Sequence, residues 1–153
     1  MADCIADLVA PGLYLGNIKA LAALVSCESE EQSSWCVVSV LDDIDRHGLQ
    51  MPRYVHGHHH ITIRDAPGDD LSRHFAHAHE FIKKSLEQDK TVLVHCMAGI
   101  SRSASIVAAH LMLERKIGRD EALAIVKRAR PIAGPNHGFR KQLKELEGLI
   151  FAK

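Results

Sequence analysis

Residues 95–103 read His95-Cys96-Met97-Ala98-Gly99-Ile100-Ser101-Arg102-Ser103. The β-branched run 91–94 comes directly before this segment and predicts a buried central strand. Apolar residues at helical spacing, from Ala104 to Met112, follow it. A short glycine-containing loop between a strand and a helix can turn successive backbone N–H groups inward and form a nest for an anion. The amino terminus of the helix adds positive potential, so the segment predicts a site for a dianionic phosphate.

Cys96 and Arg102, separated by five residues, supply the chemistry expected of such a loop. Helix amino termini and nearby cations stabilise thiolates, so we expect Cys96 to be ionised at neutral pH and able to attack phosphorus. The planar guanidinium of Arg102 can hold two phosphoryl oxygens and stabilise the charge that redistributes over them. A buried structural cysteine is the alternative, but it would not explain an arginine at this spacing.

A departing alkoxide or phenoxide needs a proton, so a general acid is expected elsewhere in the chain. Asp65, Asp69 and Asp70 stand on a loop that follows a predicted strand. Asp65 is favoured because it comes just past the strand and before a Pro-Gly turn. Asp69 and Asp70 are better explained as cap and first-turn residues of the next helix.

Segments with strand character alternate with segments of helical periodicity along the chain. This alternation predicts an α/β fold with helices flanking a mostly parallel sheet, in a single domain spanning residues 1–153. The acidic stretch 26–34 is interpreted as a solvated loop rather than a regulatory phosphorylation site. The predicted strands are 13–17 with its turn, 35–41, 54–63 and 91–94, and the predicted helices are 18–25, 69 or 70 to about 86, the segment beyond 102, 121–129 and 139–150.

Ordered motifs extend over nearly the whole chain. They are Leu13-Tyr14-Leu15-Gly16, Ser39-Val40-Leu41, Asp65 with Asp70-Leu71 and Phe75, the loop 94–105, Arg130-Pro131, Pro135-Asn136, Gly138-Phe139 and Gln142-Leu143. In this order they resemble the dual-specificity phosphatase branch of the protein tyrosine phosphatase superfamily. The resemblance implies a four- to five-stranded sheet and hydrolysis of phosphotyrosine and phosphoserine or phosphothreonine. The resemblance is weaker at the segment 25–34, which is longer and more acidic than expected, and at the histidine-rich strand 56–60.

The resemblance implies a role for each candidate catalytic residue. Cys96 would become a cysteinyl-phosphate, and Arg102 would bind phosphate and the transition state. Asp65 would act as general acid in the first step and would activate water in the second. Ser103 would donate a hydrogen bond to the thiolate and ease its departure.

The resemblance also implies how the phosphate-binding loop is built. The backbone amides of Met97, Ala98, Gly99, Ile100, Ser101 and Arg102 would cradle the phosphate. His95 and Asn136 would support the loop. No metal and no organic cofactor is expected.

The substrate class is read from the variable loop positions 97, 98, 100 and 101, which carry no charge. Related phosphoinositide phosphatases tend to place lysine there, so a phosphoprotein substrate is favoured over an inositol lipid. RNA-end phosphatases are a further option, but no basic stripe with interleaved aromatics supports one. A sulfurtransferase and a non-catalytic phosphate-binding scaffold remain as alternatives. The first would not need Asp65, and the second would usually lack the cysteine, the arginine or the acid.

Composition bounds the partners and the compartment. The 19 Lys and Arg balance the 19 Asp and Glu, so no net charge attracts the chain to nucleic acid or to an anionic membrane. No signal peptide is recognised, and the four cysteines lack disulfide or zinc spacing. Reduced thiols in a cytoplasmic or nuclear protein are therefore expected. The sequence gives no indication of oligomeric state.

Two further features lead to minor expectations. The segment 56–60 contains three consecutive histidines, which alternate faces on a strand, so at most two share a side. A solvated strand edge is favoured over adventitious zinc or nickel binding. Cys36 is a core residue and a weak candidate to trap an oxidised Cys96 as a disulfide, whereas Cys4 and Cys27 are interpreted as bystanders.

Overall fold

A computed structural model describes residues 6–152 of the chain. In this part of the chain, five strands form one sheet and seven α-helices surround it, which confirms the α/β architecture. The strands are β1 (Ala6–Ala10), β2 (Leu13–Gly16), β3 (Trp35–Leu41), β4 (Gly57–Thr62) and β5 (Thr91–His95). The helices are α1 (Ile18–Val25), α2 (Ser29–Gln32), α3 (Asp43–Arg46), α4 (Phe75–Glu87), α5 (Arg102–Arg115), α6 (Arg119–Ala129) and α7 (His137–Ile150). Within residues 6–152, none of the helices has both the length and the apolar character needed to cross a bilayer.

The strand order in the sheet is β1-β2-β5-β3-β4. Strand β5 pairs in parallel with β2 and β3, β3 pairs in parallel with β4, and β1 runs antiparallel to β2. The predicted mostly parallel sheet is therefore confirmed. The carboxyl ends of β3, β4 and β5 meet at one edge, which is where open α/β sheets form their ligand sites.

The sheet is covered on both faces because its central strands carry apolar residues at successive positions. On one face, Val38, Val92 and Val94 pack in the main core with residues of α4 to α7. On the other face, Val37 and Leu93 pack in two smaller clusters with residues of α1. Helix α5 is buried at every residue from Arg102 to Met112, so its amino terminus is fixed by the core.

Three short elements were not predicted from the sequence: β1, α2 and α3. Helix α3 is a single turn whose capping box joins Asp42 and Asp45: the Asp45 amide donates to Asp42 Oδ1 over 2.7 Å, and the Asp42 amide donates to Asp45 Oδ2 over 3.1 Å. A four-residue helix is too short for hydrophobic periodicity to reveal. Strand β4 is also shorter than predicted, since it begins at Gly57 and ends at Thr62.

The acidic segment 26–34 is not only a solvated loop, because it contains the short helix α2. Gln32 anchors it from a buried position, 3% exposed. Its Nε2 donates to the carbonyl oxygens of Val25 and Cys27, and its Oε1 accepts from the Tyr54 amide over 3.0 Å. The interpretation as an entirely solvated loop is therefore corrected.

The helix predicted from Asp69 or Asp70 begins later, after a 3₁₀ turn at Ser72–His74. Asp70 Oδ1 accepts from the Ser72 amide over 3.0 Å, but Leu71 occupies the cap position of this turn and His74 that of the helix, so the predicted cap at Asp69 or Asp70 is wrong. Asp69 instead forms an ion pair with Arg64, 2.7 Å from Nη2 to Oδ1. The predicted apolar face is buried at Leu71, Phe75, Ala78 and Ile82.

The histidine-rich strand β4 is the edge strand of the sheet, as predicted. His58 and His60 stack on one face at 3.9 Å, and His59 stacks on Phe81 at 5.5 Å, so the predicted alternation of faces is confirmed. His58 is nevertheless half-buried, and this burial lowers its pKa to about 3. Among residues 6–152, no three histidine, cysteine or acidic side chains come together as a metal site would require.

The disulfide considered between Cys36 and Cys96 is excluded by strand register. Cys36 lies opposite Val92, four residues before Cys96. Four strand residues span about 13 Å, whereas a disulfide needs Cα atoms within about 7 Å. Cys27 Sγ lies 3.4 Å from the Ala23 carbonyl oxygen, and Cys4 lies outside the described residues.

Candidate active site

Cys96 directly follows β5, and its side chain is enclosed at the amino terminus of α5. Its Sγ lies 3.0 Å from Ser103 Oγ and accepts from the Gly99 amide over 3.3 Å. The residue is 3% exposed. The structure therefore brings Cys96, Ser103 and the loop backbone together at the amino terminus of α5.

The carbonyl oxygens of the loop 96–101 all accept hydrogen bonds from groups outside the anion nest. Gly99 has a φ of +69°, and a Cβ there would lie 2.6 Å from the Gly16 carbonyl oxygen, so only glycine fits this turn. The donors, in order along the loop, are His95 Nδ1, the Ile18 amide, Arg130 Nη2, Arg130 Nε, the Gly134 amide and Ser105 Oγ.

The N–H groups of the loop 96–101 differ from its carbonyl oxygens in their hydrogen bonding. Within the described chain, the amides of Met97, Ala98, Ile100 and Ser101 donate to no backbone carbonyl. Carbonyls fixed by outside donors and amides left unpaired form a concave donor surface at a helix amino terminus. Such a surface has the donors and the charge that suit an anion such as phosphate.

Arg130 supports the loop from the side away from the nest, and sequence reasoning did not assign it a role. It is 6% exposed and donates to Gly99 O over 2.8 Å and to Ala98 O over 3.0 Å. Its Nη1 also forms an ion pair with Asp7 Oδ2 at 3.0 Å. Periodicity and spacing do not reveal a buried arginine. Arg130 stood out in the sequence only because Arg130-Pro131 is one of the motifs that carry the family resemblance.

Arg102 begins α5 and reaches two other loops at the same sheet edge. Its Nη1 donates to Asp45 Oδ2 over 2.7 Å and to the Ile63 carbonyl oxygen over 3.0 Å. Burial works to raise the pKa of Asp45, but hydrogen bonds from Arg102 and the Asp42 backbone outweigh it and hold that pKa below its usual value. Asp45 is thus a carboxylate at the site, in an element that sequence reasoning overlooked.

Asp65 is exposed on the loop that follows β4, and Asn136 connects it to the loop 96–101. Asn136 Nδ2 donates to Asp65 Oδ1 over 2.9 Å, and its backbone amide donates to Ser101 Oγ over 2.9 Å. Its Oδ1 caps α7 by accepting from the Phe139 amide over 2.8 Å. The structure therefore joins Asp65 and Asn136, both predicted site residues, to the loop.

The loop that carries Asp65 is closed by two contacts. Asp69 Oδ2 accepts from the Arg64 amide over 3.3 Å and from Arg64 Nε over 3.1 Å, which ties the two ends of the loop together. Gly138, in the first turn of α7, lies so close to the Pro67 backbone that a Cβ there would collide with it. The position of Asp65 is therefore set by α7 as well as by β4.

His95 is fully buried and supports the loop through its ring. Its Nδ1 lies 3.1 Å from Cys96 O and its Nε2 2.6 Å from Ser39 Oγ, which in turn lies 2.7 Å from His58 Nε2. A proton on Nδ1 lets the ring donate to Cys96 O and accept from Ser39. Burial lowers the pKa of His95 to about 4, so the ring is neutral, and the carbonyl acceptor at Cys96 places its single proton on Nδ1.

Comparisons with known proteins agree with this geometry. Residues 13–148 match the family model described as dual specificity phosphatase, catalytic domain. Dual specificity protein phosphatase 22 of Mus musculus is 36% identical over 141 residues, which cover 91% of this chain and 72% of that relative. The crystal structure of DUSP15 is 32% identical, with a TM-score of 0.80, and the match covers 96% of this chain and 88% of that one. The human tyrosine phosphatase-like serine/threonine/tyrosine-interacting protein is 29% identical, with a TM-score of 0.83, covering 96% and 98% of the two chains.

Proposed function

The chain belongs to the dual specificity phosphatase family, and from this premise we propose that it hydrolyses phosphotyrosine and phosphoserine or phosphothreonine in proteins through a cysteinyl-phosphate. The observation that carries the proposal is the position of Cys96 Sγ in a loop whose carbonyls are bonded outward. Apart from Gly99, which donates to Sγ, the amides of residues 97–101 donate to no backbone carbonyl of the described chain. A nucleophile and a phosphate nest at one point support phosphoryl transfer better than binding alone.

In the first step, the Cys96 thiolate attacks phosphorus, an S–P bond forms and the P–O bond to the substrate breaks. Asp65 gives its proton to the departing oxygen, so the substrate leaves as a neutral alcohol or phenol. Arg102 and the loop amides stabilise the charge on the equatorial phosphoryl oxygens.

In the second step, water attacks the phosphocysteine and Asp65 takes a proton from it. The S–P bond breaks, inorganic phosphate leaves and the thiolate is restored. Ser103 Oγ, 3.0 Å from Sγ, is placed to donate to that thiolate as it departs.

The substrate class follows from the rim of the loop. Ala98 and Ile100 are exposed, Met97 is half-buried, and none of them carries a charge. An inositol lipid with several phosphates would need additional cations at these positions, whereas a phosphorylated side chain needs only the nest and Arg102. A phosphoprotein substrate is therefore favoured over a lipid or an RNA end.

A non-catalytic phosphate-binding scaffold is the second candidate. It is favoured by the similarity in fold and sequence to the phosphatase-like interacting protein. The retention of Cys96, Arg102 and Asp65 in this chain argues for catalysis instead.

Hydrolysis of 4-nitrophenyl phosphate by the wild-type chain and by Cys96→Ser, each with a chelator present, tests the proposal. Turnover by the wild type alone supports it. No turnover by the wild type, with tight binding of inorganic phosphate, would establish the scaffold. Turnover that the chelator abolishes would indicate a metal-dependent phosphatase. Matched phosphotyrosine and phosphothreonine peptides then test specificity, and hydrolysis of phosphotyrosine alone would contradict the dual specificity.

The role of Asp65 has a separate test, because a general acid matters most when the leaving group is poor. In Asp65→Asn, kcat/KM should fall at least about 100-fold for phenyl phosphate and much less for 4-nitrophenyl phosphate. Asp70→Asn, on the same loop, serves as the matched control and should retain both activities. An equal loss on both substrates in Asp65→Asn would remove Asp65 from the proton transfer. A sulfurtransferase would hydrolyse neither phosphate ester, with or without Asp65.

A further inference from the structure

The hydrogen bonds of Arg102 divide its guanidinium into an occupied part and an unoccupied edge. Both N–H groups of Nη1 are used, one by Asp45 Oδ2 and one by the Ile63 carbonyl oxygen. Among the residues that the structure describes, Nε is buried without any hydrogen-bond partner. Nη2 likewise donates to no group in the described part of the chain.

The Nε–Nη2 edge is the edge of an arginine that presents two parallel N–H groups, the geometry that matches two oxygens of a phosphate. Arg102 is only 7% exposed, so its unpaired Nε–H cannot rely on bulk water. Since Asp45 takes Nη1, the donors that remain are those suited to a bidentate phosphate contact. The ion pair therefore orients the arginine without occupying its phosphate-binding edge.

Asp45 is itself held in place. Its Oδ2 accepts from the Asp42 amide and its own amide donates to Asp42 Oδ1, so the one-turn helix α3 is closed around the carboxylate. Asp42 directly follows β3, whose residues Cys36–Leu41 are all buried. The side chains of Arg102 and Asp45 are 8% and 18% exposed, so solvent screens this contact far less than it screens a surface pair.

Resting on the proposed function, we infer that Asp45 is a positioning residue: it fixes the guanidinium of Arg102 so that the Nε–Nη2 edge meets the transferring phosphoryl group. Asp45 touches neither the substrate nor the nucleophile in this role, and it acts only through Arg102. The benefit is largest in the transition state, where the equatorial oxygens are planar and the two donors must be aligned with them. Ground-state binding should depend on Asp45 less. Removing its negative charge from beside the phosphate compensates for part of the affinity that is lost when Arg102 is misaligned.

The test compares Asp45→Ala with Asp43→Ala, which removes an exposed carboxylate from the same helix turn. Two inhibitors are titrated against 4-nitrophenyl phosphate hydrolysis: inorganic phosphate, which resembles the ground state, and orthovanadate, which can adopt the five-coordinate geometry of the transition state. In Asp45→Ala, we expect kcat to fall and orthovanadate inhibition to weaken at least about tenfold, with phosphate inhibition changing less than about threefold. Asp43→Ala should retain the wild-type kcat and the wild-type inhibition constants for orthovanadate and phosphate.

Inhibition constants do not depend on the fraction of folded enzyme, so a merely structural role would lower kcat and leave both constants unchanged. That result, or equal weakening of both inhibitors, would overturn the inference.

If Asp45→Ala does not fold, Asp45→Asn replaces it, because the asparagine amide oxygen can still accept a hydrogen bond from Arg102 Nη1 but carries no charge. It should then show the same selective loss of orthovanadate affinity at smaller size, and unchanged inhibition by both anions would overturn the inference. A wild-type chain without turnover would defeat the proposed function and this inference with it, whereas an active wild type with an unaffected Asp45 variant would defeat this inference alone.

Discussion

Asn136 Nδ2 donates a hydrogen bond to Asp65 Oδ1 over 2.9 Å, joining two residues that are 71 positions apart in the sequence. The side chain of the same asparagine caps α7, and its backbone amide donates to Ser101 Oγ of the loop 96–101. One residue thus connects the candidate acid, the candidate phosphate-binding loop and a helix terminus. These functions can be separated by substitution.

Asn136→Ser should keep the helix cap, since serine caps helices about as well as asparagine, but it cannot reach Asp65. We expect its unfolding free energy to stay near that of the wild type while kcat falls several-fold. Asn136→Ala should lose about 1 kcal/mol of unfolding free energy in addition. Chemical denaturation and steady-state kinetics measure the two effects. Wild-type kcat in Asn136→Ser would show that the hydrogen bond to Asp65 does not contribute.

Gly138 and Gly148 both lie in α7, which allows the same substitution to be compared at two positions. A Cβ at Gly138 collides with the Pro67 backbone, whereas a Cβ at Gly148 meets open space. Gly138→Ala should displace the loop that carries Asp65 and reduce kcat at least about tenfold. Gly148→Ala should retain activity and gain up to about 1 kcal/mol of stability from helix propensity. Equal activity of both variants would mean that Pro67 moves without disturbing Asp65.

Arg130 holds two loop carbonyls and an ion pair at a buried position, so its removal leaves several polar groups without partners. Arg130→Met should reduce the unfolding free energy by about 3 kcal/mol and weaken inorganic phosphate inhibition at least about tenfold. Asp7→Asn keeps an acceptor for Arg130 and should cost no more than about 1 kcal/mol, because Asp7 is partly solvated. Phosphate inhibition that stays at the wild-type value in Arg130→Met would show that the loop keeps its shape without this support.

Buried histidines make the fold sensitive to acid. Burial, with a smaller contribution from His79, lowers the pKa of His110 to about 4, whereas an unfolded histidine titrates near 6.5. Between these pH values the unfolded chain binds a proton that the native chain does not. Stability from this group is therefore present above pH 6.5 and declines as the pH falls toward 4, by up to about 1.4 kcal/mol per pH unit.

Urea denaturation at pH 5 and pH 7 measures this dependence. The loss of unfolding free energy between the two should be smaller in His110→Gln than in the wild type. His77→Gln, at an exposed position of α4, is the control and should leave the loss unchanged. If the loss in His110→Gln equals that of the wild type, acid sensitivity comes from other groups, such as His95, whose pKa burial lowers to about 4.

Local patterns were sufficient for the parts of this protein that depend on neighbours in sequence. The bounds of α1 and β3 agree with the prediction, because apolar spacing and a valine-rich run determine them. The segment from β5 through the loop to α5 was likewise readable, since a β-branched run, a glycine and helical spacing follow one another directly. Patterns failed for α3 and β1, which are too short to show a period, and for the Cys36 disulfide, which the register of β3 and β5 excludes.

Local sequence was sufficient to indicate the candidate phosphate-binding loop, because Cys96, Gly99 and Arg102 fall within one strand–loop–helix segment whose conformation the chain encodes. Only the tertiary structure determined what surrounds that loop. The contacts from Asp45 to Arg102, from Arg130 to Gly99 and from Asn136 to Asp65 join positions 31 to 71 residues apart. They arise because parallel strands bring their carboxyl ends to one edge of the sheet, and no period or spacing along the chain records which side chains meet there.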